Sequence, residues 1–429
     1  MRRRARQTDM AGSGDARMLG DAAVPTAKGE RYAVMDVLRG FALFGVMLIN
    51  IYEFGGEDIL ITSDQLAALP SASLNETITF WVRLFVADKA NTLFAFLFGL
   101  GFWVQMERLE ARGTPFKAVY LRRAFILLLF GWLHVFGLFA WDILHVYGTA
   151  AFILFFCRKF PDRALLWIGI VLLLFAKPVI NYGFEVAGIS GQLEEAFSSD
   201  ATVLAQQTAA QSGDFPAFLS LMARNTIFGW LLTGGFVAWV FYALGRFFMG
   251  AWVARKGWIQ NASTNLSLFR RWLWPCLIAG FLLELAHLLT EDMVDGLAFG
   301  MLAVTAHAVA TPLIAAGYVC ALVLIFHGKT VAWLVKPLAP VGQMALTNYV
   351  SQSVAIILIL TSVGPGLGLA GKAGISTFLP LVIAFFTAQI VFSHVWMKAF
   401  AFGPLEWLWR ALTYGTLPSM RRIPQPIKT

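Results

Sequence analysis

The residues best suited to chemistry in this chain lie inside apolar sequence. In the stretch GWLHVFGLFAWDILHVYG, His134 and Asp142 stand eight residues apart across a turn. Two antiparallel helices joined there would bring them together, with His145 opening the second helix. A buried imidazole with a carboxylate partner is the minimal general base. The carboxylate sets the tautomer and stabilises the imidazolium formed on proton abstraction. The same pair would equally serve as a plain hydrogen bond across a helical hairpin.

A second group of residues suits anion binding. The run DVLRGFALFGVMLIN opens with Asp36 and Arg39 and closes on Asn50. Arg122 and Arg123 stand at the matching level of a later apolar run. Each alone is an ordinary membrane-edge charge. Together they suit a phosphate-bearing ligand, because guanidinium forks match phosphate oxygens. In GQMALTNYVSQS, Gln343, Thr347 and Ser351 follow four-residue steps, with Asn348 and Gln352 beside them. Such a polar helix face cannot look at lipid, so it meets other helices or a wet cavity.

The remaining ionisable groups point elsewhere. Glu284, His287 and Glu291 share a helix face and read as a solvated or paired surface. His307 precedes Pro312 by five residues and suits carbonyls freed at a proline kink. Neither a paired-cysteine motif, a phosphate-binding glycine loop nor a nucleophile elbow occurs, and no metal site is expected.

What must position these residues is a membrane bundle. Only 14% of the 429 residues are charged, against about 25% in soluble domains. Apolar runs near the roughly 20-residue length of a membrane span recur along the chain. Hydropathy predicts an all-α polytopic helical bundle of about ten transmembrane helices, roughly 33–52, 80–104, 121–140, 143–157, 164–182, 226–253, 272–290, 297–326, 341–362 and 377–401. Lys and Arg gather in alternate connections, whereas 53–79, 183–223, 291–296 and 363–375 hold Lys372 as their one basic residue. That bias places both termini in the cytoplasm and explains the net charge of +8 without nucleic acid. Residues 1–30 read as a disordered cytoplasmic arm and 31–402 as the transmembrane domain, with 183–223 an external connector or lid. Residues 403–429 follow as a tail whose PLEWLWRALTY forms an amphipathic interfacial helix, Glu406 and Arg410 being spaced to pair. Expected partners are membrane lipids and a small-molecule substrate, with a homodimer left open.

The segments RYAVMDVLRGFALFGVMLINI, NTLFAFLFGLGF, LRRAFILLLFGWLH, GQMALTNYVSQS and FGPLEWLWRALTYG together resemble the YeiB-like family of bacterial inner-membrane proteins, domain of unknown function 418. The likeness runs from about Arg31 to Tyr414. More distantly, DVLRGFALFGVMLIN followed by ADKANTLFAFLFG is similar to the start of the heparan-α-glucosaminide N-acetyltransferase membrane domain. That resemblance implies transfer of an acyl group from cytoplasmic acyl-CoA to an acceptor on the periplasmic side of the inner membrane. It would set Arg39 near the donor and Asn50 at the catalytic end, where its amide would hydrogen-bond the reacting carbonyl. The acetyltransferase carries its histidine soon after the asparagine, whereas 51–88 here contains none. His134 with Asp142, or Glu53, would take that place. A transporter for a small metabolite or peptide, and a non-catalytic membrane scaffold, are the alternatives.

Overall fold

A backbone in hydrocarbon must satisfy its own polar groups, so apolar runs of this length can cross only as helices. The computed structural model describes residues 33–56, 59–113, 116–140, 142–188, 199–290 and 297–422. The N-terminal arm and the acidic residues Asp58, Glu194, Glu195, Glu291 and Asp295 lie outside them. Among the described residues there is no strand, only an isolated bridge between Phe400 and Arg421.

The helices are α1 (Ala33–Phe54), α2 (Ser63–Ala67), α3 (Ala72–Phe85), α4 (Lys89–Ala111), α5 (Phe116–Gly137), α6 (Leu144–Phe156), α7 (Asp162–Val186) and α8 (Asp200–Ser212). They continue as α9 (Phe215–Arg224), α10 (Gly235–Lys256), α11 (Leu266–Thr290), α12 (Leu297–His327), α13 (Leu338–Gln343), α14 (Ala345–Leu360), α15 (Ile375–Ala399) and α16 (Pro404–Tyr414). Eight helical segments among the described residues are long and apolar enough to cross a membrane. Helix α14 is apolar but shorter, at 16 residues, and α6 has only 13. At 1.5 Å per residue α6 spans about 20 Å, short of a hydrocarbon core of about 30 Å, and Phe139, Ala140, Asp142 and Ile143 before it are buried.

Helix α1 is the hub. It is buried along most of its length and packs against α4, α12, α13, α14 and α15. The outer helices show the opposite pattern: α11 turns Trp272, Trp274, Ile278 and Leu282 outward, as lipid contact requires. Buried apolar residues form two clusters. One lies in the half where α1 begins, the basic end; the other lies where α1 finishes, the acidic end.

At the acidic end α8 packs onto the bundle. Helix α8 docks by hydrogen bonds from Gln207 to the Leu60 carbonyl (3.2 Å), from Gln211 to the Ala370 carbonyl (2.7 Å) and from the Ser362 amide to the Ala210 carbonyl (2.8 Å). The sequence favours a solvated connector here. It lacks the distant acceptors that make α8 a packed element. Helix α3 ends at Phe85, and the chain breaks at Asp88, whose φ of 58° is the one left-handed value at a non-glycine among the described residues.

Candidate functional site

At the basic end α1, α4, α5, α14 and α16 surround a cavity of about 280 Å³. Its walls carry Arg39, Arg108, Arg112, Arg123 and Arg410 against two carboxylates, Asp36 and Glu406. Deeper in, Phe94, Leu97, Phe98, Leu127 and Leu144 form an apolar throat, and Tyr349 is also in its wall. A cationic mouth over an apolar throat suits an anion joined to an apolar or neutral tail.

Local sequence accounts for this shape. Arg39 pairs with Asp36 one helical turn back (Nη1 to Oδ1, 3.0 Å). Gly101 leaves the room that guanidinium needs, since a Cβ there would stand 2.8 Å from Arg39 Nη2. On α4 and the Arg112 that caps it, Gly101, Gln105, Arg108 and Arg112 follow steps of four, three and four residues, so one face turns from apolar to cationic towards its end. Arg123 stacks on Trp409 at 3.6 Å from the ring centroid, while Trp409 Nε1 donates to the Arg123 carbonyl (3.1 Å). Its Nε has no protein hydrogen-bond partner.

Glu406 closes the mouth in an unexpected way. The sequence pairs it with Arg410. Instead its carboxylate accepts from the Leu346 amide (2.6 Å), the Thr347 amide (3.1 Å) and the Thr347 hydroxyl (2.6 Å). Helix α14 has no side-chain cap of its own. Glu406 therefore caps it from 60 residues downstream, a tertiary substitute for a local N-cap. Burial holds the Glu406 carboxyl above its ordinary range, against the lowering pull of the Thr347 hydroxyl.

Neither His134 nor Asp142 lines the cavity; Tyr349, in its wall, connects it to them. Tyr349 donates its hydroxyl to Asp142 Oδ1 (3.0 Å). The other oxygen, Oδ2, accepts the Leu144 amide (2.7 Å) and the His145 amide (3.1 Å), capping α6, and faces His145 Nδ1 at 3.3 Å. His134 Nδ1 stands 2.9 Å from Asp142 Oδ1. That approach is not aligned as a hydrogen bond, and both His134 ring nitrogens lack a protein hydrogen-bond partner. Helices α5 and α6 reach this proximity through Gly131 and Gly148; a Cβ on Gly131 would stand 2.1 Å from the His145 amide nitrogen. His145 lies parallel to Phe236 (centroids 5.3 Å apart).

Of the residues singled out from sequence, Asp36, Arg39, Arg123 and Gln343 line the cavity, and His134 meets Asp142. Arg122 does not line it: this exposed side chain donates to the Thr413 carbonyl (3.4 Å) near the end of α16. Thr347 is spent on Glu406 and on the Leu405 amide (3.0 Å). Asn348 bonds the Val341 carbonyl and Ser393, while Ser351 and Gln352 bond Gln389. That polar face joins α14 to α15 and α1. Asn50 is half-buried at the far end of α1, and no hydrogen bond joins it to His134 or Asp142. Arg108, Arg112, Arg410 and Tyr349 join the cavity without being singled out by the sequence pattern. The four-three-four spacing on α4 was a usable signal for the first two; Tyr349 sits among aliphatic residues and offered none.

A second polar cluster lies towards the acidic end. His307 Nε2 is 3.1 Å from Asp88 Oδ2, and its Nδ1 is 3.0 Å from Glu284 Oε2. Glu284 also pairs with Lys89, which donates to the Arg83 carbonyl (2.6 Å). His307 therefore faces two carboxylates and not carbonyls freed by Pro312. Glu284 is paired and buried, not solvated.

Known proteins place the chain. Residues 253–416 match the family model described as a protein of unknown function, DUF418. The uncharacterized protein YxaH of Bacillus subtilis strain 168 is 30% identical over 91% of this chain and 96% of its own length. The chain belongs to the YeiB-like DUF418 family. The uncharacterized protein YeiB of Escherichia coli K12 is 29% identical over 90% of this chain and 96% of its own length. An uncharacterized 39.9 kDa protein in an amylase 3′ region of Bacillus acidopullulyticus is 27% identical over 91% and 96%. The family model covers Glu284, His307, Tyr349 and Glu406, whereas His134, Asp142 and Arg39 precede it.

Proposed function

We propose that this membrane protein is an acyltransferase that takes its donor, an acyl-CoA, into the basic-end cavity. Positive-inside bias puts that end in the cytoplasm, where acyl-CoA is found. One observation carries the reading: a single cavity has five arginines around it and Tyr349 in its wall, and the Tyr349 hydroxyl bonds to the carboxylate that His134 faces. The phosphates of the donor would meet Arg39, Arg108 and Arg123, and the thioester would extend past Phe94 and Phe98 towards Tyr349.

His134 then acts as the base. It takes the proton of an acceptor hydroxyl or amine, with Asp142 stabilising the imidazolium. The acceptor atom bonds the thioester carbonyl carbon, the carbon–sulfur bond breaks, and the departing thiolate recovers the proton. Tyr349 and the α6 amides hold Asp142 in place. The Nε2 of His134 is buried without a protein hydrogen-bond partner, so an acceptor that enters the bundle would find it unspent.

Thermal shift of detergent-purified protein with acetyl-CoA and longer acyl-CoAs tests the donor site. Saturable stabilisation is expected, lost in Arg39→Ala and Arg123→Ala and kept in Arg122→Ala, which lies off the cavity. Absence of a shift from a folded sample with every acyl-CoA overturns the reading.

A further inference from the structure

We infer that Asp88, His307 and Glu284 form a proton-binding site in the acidic half of the bundle, separate from the donor cavity. Carboxylate oxygens accept hydrogen bonds and cannot donate them unless protonated. His307 presents a ring nitrogen to a carboxylate on each side, at 3.1 and 3.0 Å. A neutral imidazole supplies one proton for those two contacts. The second requires either an imidazolium or a carboxylic acid, so the three groups together hold one proton more than a neutral imidazole between two carboxylates.

The surroundings place that proton on the ring. Glu284 is held as an anion by Lys89, and both are almost fully buried, at 1% and 0% exposure. Asp88 receives the Tyr242 hydroxyl (3.4 Å), and Tyr242 shares Thr92 with Arg246. Lys177 on α7 and Glu53 on α1 are further electrostatic neighbours of Asp88. From α11 the His287 ring approaches His307 to 4.9 Å between centroids. Two anions in direct contact and no cation touching its nitrogens favour a charged ring.

The site is open on one side. Asp88 and His307 keep 25% and 26% of their side-chain surface. Such groups do not face hydrocarbon, so that surface would be met by water or a polar neighbour. The proton can leave from Nε2 through Asp88 to water. Thr311, whose hydroxyl is 3.5 Å from Nε2, can then donate to the vacated nitrogen while Nδ1–H remains on Glu284. Each protonation state thus has partners in place. Asp88 makes these contacts from a left-handed backbone, a strained conformation held by the fold.

Protein labelled with ¹⁵N-histidine in neutral-lipid nanodiscs tests the site by solid-state NMR. At about pH 7.5, above the ordinary histidine range, one ring is expected to keep both nitrogens protonated. His307→Gln should remove that signal. Asp88→Asn should leave the residue present but singly protonated, and asparagine tolerates the left-handed backbone, so the variant is expected to fold. A wild-type His307 carrying one ring proton at that pH overturns the inference. So does a doubly protonated signal that survives Asp88→Asn unchanged. Neither readout depends on acyl-CoA binding.

Discussion

At the scale of the residue, Asp142 carries two duties that a substitution can separate. It caps α6 through the Leu144 and His145 amides and faces His134 with its other oxygen. Asp142→Ala leaves buried amides and the Tyr349 hydroxyl without an acceptor, and should cost about 1–3 kcal/mol for each such group. Asp142→Asn keeps an acceptor oxygen for the cap and loses the charge. Under the proposed mechanism, acyl transfer should therefore fall by at least about 100-fold, in line with loss of general-base assistance, while the melting temperature moves less than in Asp142→Ala. Equal losses of activity and stability across the two variants would assign Asp142 a purely structural role. His134→Ala with transfer intact would end the base assignment outright. Gly131 works through space alone: Gly131→Ala must push α5 from α6 at the very level of His145, and should lower stability by the roughly 1–3 kcal/mol typical of overpacking.

At the scale of the element, α16 is both wall and cap. Its Trp409, Arg410 and Tyr414 line the cavity while Glu406 ends α14 from outside that helix. Glu406→Ala should thus loosen both at once, weakening donor-induced stabilisation although no cavity arginine has changed. The pH dependence has a definite sign. Burial raises the folded-state value of Glu406 above 4.5, so its folded form binds protons more readily than its unfolded form. The stability it contributes is full below that range and is lost as pH rises through the folded value. The melting temperature of the wild type minus that of Glu406→Gln should therefore decrease from about pH 5 to about pH 8. A constant difference would show that the cap does not titrate.

At the scale of the whole molecule, orientation decides which cavity meets which compartment. With Cys157, Cys276 and Cys320 replaced, a cysteine at the exposed Ser212 of α8 should react with an impermeant maleimide on intact cells. One at Ser419, beyond α16, should react only after permeabilisation. The reverse pattern would turn the arginine cavity outward and remove its access to acyl-CoA.

The sequence alone determined the class of structure. Long apolar runs leave helices as the one way across hydrocarbon, and the Lys/Arg bias splits the connections into a basic and an acidic set. It also brought His134 to Asp142, because a short turn between two helices dictates that proximity. Tertiary structure decided the rest. Arg108 and Arg112 join Arg39 and Arg123 because α4, α5 and α1 converge. Thr347, Asn348 and Ser351 turn to other helices, while Tyr349, on the face that reads as aliphatic, reaches Asp142. Glu406 chooses the amides of α14 over the arginine one turn away. Asp88, Glu284 and His307 are far apart along the chain and meet only through packing of α4, α11 and α12. Spacing along one helix says which side chains share a face; which partner that face meets depends on contacts between distant segments, and local sequence carries no record of them.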